Sequence, residues 1–319
     1  MGPCVGLASG AKAVPAPSRE RVAMSPSDET PRTDLPNYPV SLARAVAPWK
    51  RSANATTVLP ASESGVTGWR ADRERLAAYR SLVGSGAEMP IAFPQLPIMA
   101  LHIDLLSRWS FPVRALGLIH QGTVLDVLGE LPVGGTWDVR AAVSEGRHVR
   151  AGLEFDVSGE VSVGGTLCWR SVSTYLSRSR SASGAEESAV PQLDSSGEWE
   201  AEVEIPVAEG TGRAFGRVTG DVNPIHMHAV PAKAFGFPRA IAHGWWTTGR
   251  TAAELGVDEA VPGRRLEIAF RRPILLPSTP VLCSRSAASG GVEFALFPVS
   301  PADGGDDPVR ALVAGVVTG

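Results

Sequence analysis

Asp221 and His226 stand five residues apart across an Asn223-Pro224 turn, so the chain doubles back and both side chains can converge on one small ligand. Seventeen residues further on, His243-Gly244 opens an apolar helix, whose first free N–H groups could hold a developing negative charge. A carboxylate, an imidazole and an oxyanion donor suit proton abstraction next to a thioester carbonyl. Residues 213 to 250 hold the only compact acid/base set in the chain.

The run Thr219-Gly220-Asp221-Val222-Asn223-Pro224-Ile225-His226, followed by His243-Gly244, resembles the signature of the MaoC-like, (R)-specific enoyl-thioester hydratases, or hydratase 2 family. That signature reads Ser/Thr-Gly-Asp-x-Asn-Pro-x-His and then His-Gly, and every polar position of it is present. The resemblance implies interconversion of (3R)-3-hydroxyacyl and trans-2-enoyl thioesters. Dehydration then needs a base at C2, an acid for the departing hydroxyl and donors for the enolate oxygen. Asp221 and His226 fill the first two roles, and either can take the C2 proton; a single base with a held water is also allowed. Gly244 is the family's oxyanion position, because only a residue without Cβ lets a thioester carbonyl approach the helix amide. Thr219, Gly220, Asn223 and His243 are supporting residues: Thr219 braces the loop, and Asn223 fixes the turn so that Asp221 points inward.

The sequence departs from the family after Gly244, where Trp245-Trp246 replaces what is commonly Met and a smaller apolar residue. Either the indoles shorten the acyl tunnel, or one packs into the core while the first half of the chain supplies the acyl groove. Lys233, Arg239 and Arg213 are candidates to meet the phosphates of coenzyme A or of a carrier-protein arm. His120, in Leu-Ile-His-Gln-Gly, reads as a satisfied sheet-edge histidine. Asp221, His226, His228 and His243 mix imidazoles with a carboxylate, but the implied chemistry needs no Lewis acid, so no metal and no cofactor are expected. The expected partner is the substrate, an acyl-CoA or acyl carrier protein thioester, with a homodimer as the assembly considered. Two rivals remain. A hot-dog thioesterase needs a carboxylate on the central helix aimed at the thioester carbon, and Glu254 lies at the far end of that helix. A non-catalytic acyl-binding subunit would not turn over.

Composition narrows the class. The 319 residues are 44% hydrophobic, enough for two modest domains with a real core. Thirty Lys and Arg against 33 Asp and Glu, with no basic stripe and no long apolar run, argue against nucleic acid and membrane spans. Only Lys12, Lys50 and Lys233 among the basic residues are lysines. Cys4, Cys168 and Cys283 are odd in number and widely spaced, so a reducing cytoplasm is expected rather than a disulfide framework.

Four segments are expected. Residues 1 to 36 are disordered, with Met24 a plausible start. Residues 37 to 178 form a first, non-catalytic unit that shapes the pocket, with structure beginning near Pro39. Residues 179 to 197 are a Ser-rich linker, and 198 to 319 are the catalytic unit. In the first unit, helices are predicted from Trp69 to Val83, with Leu76, Tyr79 and Val83 inward and Gly84 as stop, and from Pro97 to Trp109. Strands are predicted at 137–143, 149–157 and 167–176. In the second, a strand at 199–205, the signature loop, a helix at 242–255 and strands at 266–270, 281–282, 292–296 and 309–317 repeat that order, with a turn at 301–308. Ala78 to Gly84 weakly matches Ala214 to Gly220. By resemblance, the fold is α+β, a double hot-dog in which two curled antiparallel sheets each wrap a central helix.

Overall fold

The computed structural model describes residues 32–45, 57–179, 186–288, 290–299 and 310–319. Expectations for residues 1–31, for the Met24 start, for part of the Ser-rich stretch and for the 301–308 turn lie outside the described residues. The first half contains α1 (Tyr38–Ala45), β1 (Ser62–Arg70), α2 (Arg73–Val83), α3 (Gln95–Ser107), β2 (Ile119–Val127), β3 (Thr136–Val143), β4 (Arg147–Val149), β5 (Gly152–Val163) and β6 (Thr166–Arg178). The second contains β7 (Ala201–Glu204), α4 (Thr211–Thr219), α5 (Pro224–Met227), α6 (Ala229–Ala234), α7 (Gly244–Glu254), β8 (Arg265–Phe270), β9 (Val281–Ser286), β10 (Val292–Phe297) and β11 (Val313–Thr318).

All described strands join one antiparallel sheet in the order β1-β3-β5-β6-β2-β8-β11-β10-β9-β7, with the short β4 on β5. Read outward from the central β2–β8 pair, the halves are the same: β2-β6-β5-β3-β1 on one side, β8-β11-β10-β9-β7 on the other. Apart from α1, which precedes β1, each half also inserts its described helices between its first and second strands. This is the double hot-dog, its two sheets fused edge to edge where Gly122 faces Ala269 and Asp126 faces Arg265. The fusion removes one exposed edge from each half, so among the described residues β1 and the short β7 end the main path of the sheet.

The weak internal repeat marks equivalent helices. Both α2 and α4 end on a glycine in the left-handed region, Gly84 at φ 73° and Gly220 at φ 83°, whose N–H returns to the carbonyl four residues back. Tyr79 and Phe215, matched by the repeat, are both fully buried. The central helix α3 is buried on all sides except at Ile103, so its residues are apolar nearly all round rather than on one stripe. Two of its polar members find partners: Gln95 Oε1 accepts from Ser171 Oγ at 2.8 Å, and Asp104 binds Arg32, Arg44 and Arg108. In α7 the buried hydroxyls of Thr247, Thr248 and Thr251 donate to the carbonyls of His243, Gly244 and Thr247, which keeps them satisfied inside the core.

Several boundaries differ from the sequence reading. The helix expected from Trp69 starts at Arg73, because Trp69 and Arg70 complete β1 and Asp72 caps α2 by accepting from the Glu74 amide at 2.9 Å. The strand expected at 149–157 is two: Arg150 and Ala151 turn between β4 and β5. Glu154, which strand alternation alone would turn to solvent, is fully buried, paired with Arg147 and bonded by Ser188 Oγ and the Ala189 amide. The stretch read as a linker over 179–197 is therefore packed on the sheet at Ser188 and Ala189. Further along, Leu193 and Trp199 cover a second apolar cluster around Cys283, Ala295, Phe297 and Ala314. The strand at 199–205 shortens to the four exposed residues of β7. Order also begins before residue 37: Arg32 accepts from the Thr67 amide and Leu35 packs on the core.

Candidate active site

The signature loop is built by short-range bonds that its sequence dictates. Gly220 stops α4, and Thr219 Oγ1 donates to Phe215 O at 2.9 Å while accepting from the Asp221 amide at 3.1 Å. Asp221 Oδ1 accepts from the Asn223 amide at 3.1 Å, an Asx turn, and Asn223 Oδ1 in turn caps α5 by accepting from the Ile225 amide, with Pro224 in the first turn. The loop presses onto α4 so closely that a Cβ at Gly212 would stand 1.9 Å from His226 O, and one at Gly216 2.8 Å from Asp221 O. These two glycines, one helical turn apart, were not among the sequence-predicted site residues, although their spacing is visible in α4.

Asp221, His226 and His243 converge, their ligand atoms all lying within 4.8 Å of one another. The two imidazoles stack with centroids 3.7 Å apart, and the Phe215 ring packs on His243 at 4.6 Å. His226 Nδ1 lies 2.9 Å from Ile241 O. A carbonyl only accepts, so Nδ1 carries the hydrogen and Nε2 of the neutral ring is an acceptor. His243 likewise donates Nε2–H towards Asp221 O at 3.3 Å, with Asp221 Oδ2 at 3.8 Å, and its Nδ1 has no hydrogen-bond partner among the described residues.

The electrostatics follow from burial and from this clustering. Desolvation opposes ionisation of Asp221, yet the close His243 and His226 rings, which would be attracted to the carboxylate whenever protonated, and the hydrogen bonds from Tyr38 and Asn223 outweigh it and hold the carboxyl below its ordinary range. Burial pushes His226 down against the pull of Asp221, and pushes His243 down to about 3. The resting site is thus a carboxylate beside two neutral imidazoles.

Gly244 is the first residue of α7, whose first-turn amides have no intrahelical acceptor. A Cβ there would meet His120 Nδ1 at 3.0 Å and the Phe270 ring at 3.1 Å. His120 therefore does not sit at a sheet edge: β2 is the central seam, and the ring stacks on Tyr175 at 5.0 Å, with Phe270 at 4.8 Å and Trp245 at 5.8 Å. Burial lowers its pKa to about 4, and its Nε2 has no hydrogen-bond partner among the described residues. Trp245 and Trp246 are both buried. Lys233 and Arg239 are exposed, Arg213 donates to Met227 O at 3.1 Å, and His228 is exposed and outside the cluster. Beside Phe270 opens a cavity of about 380 Å³ lined by Gln121, Ser188, Val190, Pro191, Phe270 and Arg271.

The structure adds Tyr38, whose hydroxyl donates to Asp221 Oδ1 at 2.5 Å. No local signal marks it, because the contact spans 183 residues of sequence. Among the described residues no helix is long and apolar enough to cross a membrane.

The chain is similar in sequence and fold to known dehydratases. Residues 195–278 match the model of the MaoC like domain. The chain is 31% identical over 212 residues to the 3-hydroxyacyl-thioester dehydratase X of Mycobacterium tuberculosis, covering 65% of this chain and 74% of that protein. The crystal structure of HtdX from M. tuberculosis superposes with a TM-score of 0.66 at 26% identity, over 81% of this chain and all of that one. A MaoC-like dehydratase from Phytophthora capsici shares the fold, with a TM-score of 0.64 at 18% identity over 83% of this chain and 98% of that one.

Proposed function

Because this chain belongs to the MaoC-like dehydratase family, we propose that it is a hydro-lyase interconverting (3R)-3-hydroxyacyl and trans-2-enoyl thioesters of fatty-acid metabolism, with Asp221 and His226 as its acid/base pair. The observation that carries the reading is a half-buried carboxylate and a neutral imidazole held together beside the first turn of α7.

Both groups are proton acceptors at rest, which supports the version in which one water is held between them. In hydration, that water gives a proton to the pair and its oxygen to C3, and the same proton is delivered to C2. In dehydration, the pair takes the C2 proton and returns it to the 3-hydroxyl, which leaves as water while the C2–C3 double bond forms. Charge on the thioester oxygen is held by the free first-turn amides at Gly244, which packs without room for a Cβ against His120 and Phe270. His243, stacked on His226 and donating towards Asp221, orients both. Asn223 and Thr219 hold the loop, and Trp245 limits the acyl site. Lys233 and Arg239, exposed beyond α5, and Arg213 are the basic groups available to a coenzyme A or carrier-protein phosphate. Asp221, His226 and His243 could also hold a divalent ion, but two of their nitrogens are committed to backbone carbonyls and the reaction requires no Lewis acid.

A thioesterase is disfavoured because Glu254 closes α7 at its far end, in an ion pair with Arg250 at 2.6 Å. Product analysis of crotonyl-CoA tests the choice: 3-hydroxybutyryl-CoA is expected, whereas free coenzyme A would support hydrolysis, and no product at all a binding subunit.

A further inference from the structure

The first half of the chain reaches into the site through one side chain. Helix α1 lies on α3, and Asp104 of α3 gathers Arg44 of α1 at 3.0 Å, Arg108 at 3.1 Å and Arg32 at 3.5 Å. Ser41 is fully buried, and its Oγ also takes an Arg44 bond at 2.9 Å. So anchored, α1 presents its first residue, Tyr38, to the catalytic loop of the other half. The hydroxyl donates to Asp221 Oδ1, which also accepts from the Asn223 amide. Oδ2 is left facing His243 Nε2 at 3.8 Å with no donor in hydrogen-bond range among the described residues.

We propose that Tyr38 is a positioning residue for the reaction: by occupying Asp221 Oδ1 it fixes the carboxylate rotamer and leaves Oδ2 as the oxygen that works on substrate. The proposal rests on the hydro-lyase reading above. A hydrogen bond from an uncharged hydroxyl to a carboxylate also favours the ionised form, consistent with the depressed Asp221 and with a Tyr38 phenol raised by burial and by the neighbouring charge. The other titratable groups facing the pair are His226, His243 and Tyr175.

Tyr38→Phe keeps the packed ring and removes only the donor. Its kcat for crotonyl-CoA hydration is expected to fall about 10- to 100-fold, the range for one hydrogen bond to a charged group, with KM within threefold. In an Asp221→Asn background the same substitution should cost less than about twofold, because the bond acts only through the carboxylate. Wild-type kcat in Tyr38→Phe, a rise in kcat, or an equal fall in both backgrounds would overturn the proposal. A second readout does not depend on turnover: with ¹³C-labelled aspartate, the carboxyl signal absent from Asp221→Asn should titrate at higher pH in Tyr38→Phe than in wild type. An unchanged titration overturns the positioning role, whereas loss of hydration in the wild-type protein would instead overturn the hydro-lyase reading.

Discussion

The rings of His226 and His243 stack at 3.7 Å, each with one nitrogen bound to a backbone carbonyl of the catalytic region. Two imidazoles so close and so buried cannot both take a proton. His243 titrates at about 3, and His120 and His102 are depressed to about 4 and about 3 by burial. The unfolded chain binds these protons near pH 6.5 while the folded chain refuses them, so stability is at its plateau above that value and is lost as pH falls towards the folded pKa values. At pH 5 each such histidine removes on the order of 2 kcal/mol. Denaturant midpoints should fall steeply between pH 7.5 and pH 5, and a flat profile would mean that the rings are hydrated.

Gly212 is where the loop rests on α4. A Cβ 1.9 Å from His226 O cannot be absorbed without moving the loop, because the obstacle is backbone. Gly212→Ala is expected to lose about 1 to 3 kcal/mol, the usual scale of overpacking, and to lose activity beyond what its melting curve explains. Unchanged kcat would show that the loop's position is not critical.

The loop was legible because its bonds are local: a left-handed glycine, an Asx turn and an Asn-Pro cap are written in adjacent residues. Longer-range features were not. β1 escaped detection because Gly65 and Gly68 break its alternation and a register shift separates Val66 from Trp69; its strand character comes from pairing with β3. Glu154 looked solvent-facing because the chain at 186–189 that covers it is distant in sequence. His120 was read as peripheral because nothing local reveals that β2 pairs with β8 as the seam of two halves. Tyr38 is the extreme case, a contact made wholly by tertiary packing.

Trp245 lies beside His120 and directly follows Gly244, and in the proposed reading its indole limits the acyl chain. Trp245→Met should raise kcat/KM for longer acyl-CoAs relative to crotonyl-CoA, by up to about 0.8 kcal/mol of burial for each methylene admitted. An unchanged chain-length profile with a lowered melting temperature would make it a core residue only.

The central claim is that Asp221 and His226 act as one acid/base unit. The direct measurement is the initial rate of crotonyl-CoA hydration by Asp221→Asn, His226→Ala and the double variant, beside melting curves that confirm folding. Each single substitution should lower kcat by roughly two to four orders of magnitude, and the double variant should lie close to the worse single one. A folded single variant with near-wild-type turnover would contradict the account.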